Sequence, residues 1–102
     1  LGERGEEGAL QDAVGAYRAA LEVRTRDAAP MDWALTQENL ALRFEAMADQ
    51  GDNPRVRLEA GLEAVRGALE VFRQAGSTFN VEKAERLEAH LREKLAGLGG
   101  SS

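Results

Sequence analysis

His90 is the single histidine in the chain, and so the first residue to test for acid–base or metal chemistry. Arg86 stands one turn before it and Glu93 about one turn after it on a helical reading. No second histidine and no cysteine exists to complete a metal shell, so His90 is expected to be a solvated surface residue. Serine and threonine are confined to Thr25, Thr36, Ser77, Thr78, Ser101 and Ser102, none with a general base nearby in sequence, so a nucleophile has no support. The acid pairs Glu59/Glu63 and Glu82/Glu85 read as solvated, because they fall on polar helix faces. The glycines lie in breaks and in helix interiors, and no phosphate-cradling loop is formed. The chain is therefore expected not to be an enzyme, with no catalytic residue, no metal site and no cofactor.

Arg55, Arg57, Arg66 and Arg73 could gather into a basic patch, but Glu59, Glu63 and Glu70 dilute it. The formal net charge of −5 also argues against nucleic acid, whose phosphates need a basic surface. Trp33 is expected at a helix–helix contact, ahead of a role as a ligand-stacking platform.

The elements that would position these residues are helical. The 102 residues suffice for one small domain, and 43% hydrophobic with 30% charged residues lies in the globular range. No apolar run approaches the ~20 residues needed to cross a bilayer, so no membrane is expected. The lack of cysteine fits a cytoplasmic location. The chain begins without methionine or a signal peptide and reads as a piece of a longer protein.

One stretch occurs twice. Residues 10–23 and 58–71 match at seven of fourteen positions, 48 residues apart, and both copies close on Ala-Leu-Glu-Val. A repeat of this length predicts stacked helix pairs. The first helix is expected over about 8–27, with a stripe of Leu10, Val14, Tyr17 and Leu21 widened by Ala13 and Ala20. The second, capped by Asp32, is expected over about 33–50 with Trp33, Leu40, Phe44 and Met47. The third runs from Pro54 to Ala75 with Leu58, Leu62, Val65, Leu69 and Phe72; Gly61 takes the place of Ala13 as a small contact position. The fourth, capped by Asn80, runs over about 80–96 with Val81, Ala84, Leu87, Leu91 and Leu95. Asn80 and Phe79 match Asp32 and Met31 across the repeat. Short connections make successive helices antiparallel.

Three patterns carry a family resemblance. Asn39-Leu40-Ala41 with Phe44 forms one, Ala13/Tyr17/Ala20 the second, and Gly61/Val65/Ala68 the third. They resemble the first-helix and second-helix signatures of the tetratricopeptide repeat family. The run at 32–40 is similar to long-repeat bacterial members. The chain departs from the family in its 48-residue spacing against the usual ~34, in the displaced Pro30, and in a fourth helix without Leu-Gly. The resemblance covers about residues 10–96. It implies a second helix, one full repeat and a terminal helix, with Leu1-Gly2-Glu3 as the end of a preceding first helix.

The expected architecture is thus all-α, about four antiparallel helices stacked as a right-handed α-solenoid fragment. Residues 1–8 form a flexible leader or the end of a preceding repeat, 9–96 the helical domain and 97–102 a flexible tail. Leu35 and Leu42 lie a heptad apart, off the main stripe of the second helix. The resemblance implies a concave groove there, with Leu35, Glu38, Asn39, Leu42 and Glu45 contacting a peptide or protein partner. Asn39 matches an asparagine that holds a peptide backbone in several members, while Glu38 stands where carboxylate-binding members carry lysine. On the other reading Leu35 and Leu42 pack on another helix, in this chain or a second copy. The expected function is a protein-interaction scaffold; the alternative is a self-association element. Self-contact is expected through the N-terminal half, by Ala16, Ala19 and Val23, as a symmetric homodimer that leaves the fourth helix free.

Overall fold

The computed structural model describes residues 5–99 and is all-helical over that range. Helix α1 spans Gly5–Val23, α2 Pro30–Asp49, α3 Pro54–Ala75 and α4 Thr78–Gly99. Local chemistry sets most of these limits. Gly51 and Gly76 adopt φ values of 86° and 69°, a left-handed conformation that costs glycine nothing. Behind Gly51, the Asp52 N–H donates to the Met47 carbonyl and the Gly51 N–H to that of Ala48. Behind Gly76, Ser77 and Gly76 donate in the same way to Phe72 and Arg73. Both helices thus end in the Schellman arrangement, which satisfies their last carbonyls. Pro30 and Pro54 open α2 and α3, where a missing N–H removes no helical bond.

Several expected limits move. α1 stops at Val23 and not at residue 27, because the chain turns around Thr25. The Ala28 N–H donates to Thr25 Oγ1 at 3.2 Å and the Ala29 N–H to the Thr25 carbonyl at 2.9 Å. α2 begins at Pro30, so Asp32 is not its cap but lies in its first turn, where a carboxylate suits the helix dipole. Asn80 does not cap α4 either; its Nδ2 donates to Ser77 Oγ at 2.8 Å from within the helix. Residues 5–8 of the expected leader and 97–99 of the expected tail are helical. The expected roles of Leu1-Gly2-Glu3 and of residues 100–102 lie outside the described residues.

Each helix packs on its neighbours in the chain, and the core divides at α2. On one side Leu40, Phe44 and Met47 meet Leu10 and Val14 of α1. On the other, Ala34, Ala41 and Ala48 let α3 approach closely, and Leu62, Val65, Leu69 and Phe72 fill the space between α2 and the Ala84 and Leu91 side chains of α4. A Cβ on Gly61 would stand 3.4 Å from the Ala41 carbonyl oxygen and 3.3 Å from Leu91 Cδ1, so this crossing is close because the residue is small. Leu40, Phe44, Leu62, Val65 and Leu69 are buried as their stripes predict. Tyr17, Leu21 and Leu87 are only half-buried, because α1 and α4 are each covered on one side.

Three of the four side-chain contacts between carboxylates of α2 and basic groups of α4 share one sequence offset. Lys83 stands against Glu38, His90 against Glu45 and Lys94 against Asp49. Every partner lies 45 residues further along the chain, a constant offset that requires the two helices to run parallel and in register. Side-by-side parallel α2 and α4, with antiparallel α3 packed on both, make an open stack of helix pairs. The molecule is a slab of 40 × 39 × 17 Å. No helix among the described residues is long and apolar enough to cross a membrane.

Candidate interaction site

The outward face of α2 carries the expected site, and the structure divides its five residues. Leu35 is 40% exposed and Leu42 37%, against 5% for Leu40 and 3% for Phe44 one helical face away. Asn39 lies exposed between the two leucines. Residues seven apart on a helix fall two turns, about 10 Å, along one face. The three therefore form a short apolar stripe with an amide at its centre.

Glu38 and Glu45 do not share that exposure. Glu38 is 3% exposed, and its carboxylate lies 3.9 Å from Lys83 Nζ. Glu45 is half-buried and accepts from both His90 Nε2, at 2.7 Å, and Lys94 Nζ, at 2.8 Å, on the same Oε2. Lys94 also donates to Asp49 Oδ1 at 2.7 Å. Burial works against the charge of Lys94, but its hydrogen bonds to Asp49 and Glu45, and their negative charges, outweigh it and raise the pKa above the ordinary lysine range. Glu38 and Glu45 thus join α2 to α4 and are not free for a ligand. Their partners on α4 lie 45 to 49 residues away, beyond the reach of any local pattern. His90 is 51% exposed at its side chain, as expected of a surface histidine, but bonded to a carboxylate that neither Arg86 nor Glu93 announces.

Arg57, Arg66 and Arg73 do not form a basic patch, because each faces a carboxylate. Arg57 pairs with Asp52, Arg66 with Glu88 and Arg73 with Glu85. Among the described residues no three His, Cys, Asp or Glu side chains converge as a metal-binding group.

A feature that the sequence does not announce is a groove of about 420 Å³, floored by α2 and walled by α1 and α3. Leu21, Trp33, Leu40 and Phe44 line it, with Arg18 and Glu63 on opposite walls. Trp33 is half-buried; its ring lies 3.1 Å from where a Cβ on Gly67 would stand, and Arg26 stacks on it at 5.3 Å. Arg18 stacks on Phe44 at 5.6 Å. The tryptophan is thus a helix–helix contact with one edge in the groove. Ala16, Ala19 and Val23 of α1 are all exposed, Val23 at 78%. Comparison with protein-family models, with curated proteins and with solved structures finds no match to this chain.

Proposed function

We propose that the chain is a non-enzymatic protein-interaction module of tetratricopeptide type that holds a peptide or protein segment along the outward face of α2. The observation that carries this reading is the stripe of Leu35, Asn39 and Leu42. Two large apolar side chains are kept exposed on a helix that buries Leu40, Phe44 and Met47 on its other faces. Exposed leucines flanking an amide suit an extended or helical segment: its apolar side chains cover the leucines and its polar groups reach Asn39. The 48-residue repeat and the parallel register of α2 and α4 support the solenoid reading. A cytoplasmic setting agrees with the absence of cysteine.

A selection of displayed random peptides against the immobilised chain tests this. Selected peptides should shift the amide resonances of Leu35, Asn39 and Leu42. Leu42→Glu should weaken them at least tenfold, equivalent to about 1.4 kcal/mol. Peptides that map instead to the α1–α3 groove would overturn the assignment of the site.

A further inference from the structure

The internal repeat superposes residue n on residue n + 48, which places α1 on α3 and α2 on α4. Within the chain α2 and α3 pack on each other, so the partner face of each is on view. The equivalent faces of α4 and α1 are the open ends of the stack. At the α2–α3 contact, Met31 packs against the buried cluster that contains Val71, and both line one small cleft. Their repeat equivalents are Phe79, 72% exposed, and Val23, 78% exposed. These are the two most exposed large hydrophobic residues of the described chain. Phe79 lies on α4 and Val23 on α1, at opposite ends of the stack of described helices.

A second pair repeats the relation in charge. Ala34 and Phe72 are both fully enclosed in that cluster. Their equivalents are Glu82 and Arg24, one acidic and one basic, both exposed and without an ion pair among the described residues. The Arg24 N–H still donates to the Ala20 carbonyl, so this residue continues the α1 turn and keeps the equivalence to Phe72. Small residues complete the match: Ala16 and Ala19 of α1 stand where α3 has Ala64 and Gly67, and Ala89 and Ala96 of α4 where α2 has Ala41 and Ala48.

We propose that a second copy of this chain docks head-to-tail, with the outer face of its α4 on the outer face of α1, so that Phe79 meets Val23 and Glu82 meets Arg24 across copies, in the places that Met31 and Val71, and Ala34 and Phe72, take in the α2–α3 cluster within one. The interface joins two different surfaces, so it leaves one of each free and extends. It departs from the expected symmetric contact, in which α4 takes no part, and it is independent of the α2 peptide site.

Sedimentation of the 102-residue chain over micromolar to several hundred micromolar concentrations tests the proposal. The expected result is a mass that climbs without a plateau at the dimer. Val23→Glu and Phe79→Glu should each be monomeric with unchanged helicity, since both side chains are exposed. Mixed in equal amounts they should form a one-to-one pair, because each retains the surface that the other has lost. Arg24→Glu should weaken association about fivefold, and mixing it with Glu82→Arg should restore it. A chain that stays monomeric throughout overturns the proposal. So does association that Val23→Glu abolishes and Phe79→Glu leaves intact, which would mean a symmetric α1 contact. Failure of the two variants to pair when mixed counts the same way.

Discussion

Glu45 and His90 lie 45 residues apart and join α2 to α4 through a 2.7 Å contact between Nε2 and Oε2. Lys94 shares that oxygen and extends the link to Asp49, so two i,i+4 pairs on parallel helices interlock. In a closed up-down bundle the second and fourth helices are diagonal to one another. Their adjacency here keeps the stack open, and leaves the Leu35 and Leu42 face of α2 free beside α4.

Titration of Lys94 should register in stability at high pH. Its folded pKa is raised, so it contributes stability that is fully present below the unfolded value, about 10.4, and lost as pH rises through the folded value. Thermal melts of the native chain and of Lys94→Met should therefore differ most below the ordinary lysine pKa and converge as pH rises through the raised folded value. A gap that widens with rising pH would contradict the assigned pairs.

Glu45→Ala removes both contacts at Oε2 and leaves His90 and Lys94 without their shared carboxylate. Partly exposed pairs contribute little each, so the expected loss is about 1 kcal/mol, or about 4–8 °C in melting temperature. A far larger loss would mean that the link holds more of the fold than its exposure allows.

Leu69 is 2% exposed at the centre of the α2–α3–α4 cluster. Leu69→Ala should cost about 2–5 kcal/mol, a large share of the stability of a domain this size. Urea denaturation measures it, and an unchanged midpoint would refute the register of α3.

Two glycines should respond in opposite senses. Gly15 has open space around the position of a Cβ, so Gly15→Ala should stabilise α1 by about 0.5–1 kcal/mol. At Gly61 a larger side chain would meet the Ala41 carbonyl and Leu91, so Gly61→Val should destabilise by about 1–3 kcal/mol. Melting temperatures that move in the same direction would show that the α2–α3 crossing is looser than described.

Leu42→Glu should leave the circular dichroism of the chain unchanged and its melting temperature within a few degrees, because Leu42 is 37% exposed. Unfolding of this variant would place Leu42 among the structural contacts of the stack and remove the α2 stripe as a docking face.

The sequence by itself determined the helices and most of their inward faces. Both limits of α3 were legible because Pro54 and Gly76 act within one turn of their own position. The stripe through Leu62, Val65 and Leu69 was legible because helical spacing depends only on near neighbours, and so was the outward turn of Leu35 and Leu42. The end of α1 was not, since the Thr25 turn competes with continued helix by a margin that local propensity does not resolve. Nor were the roles of Glu38 and Glu45. An acid on an outward-looking helix position reads as open to water or a ligand until a second helix supplies Lys83, His90 and Lys94. Only the tertiary structure brings such side chains together, because charges attract through space and the chain distance between them carries no signal of it.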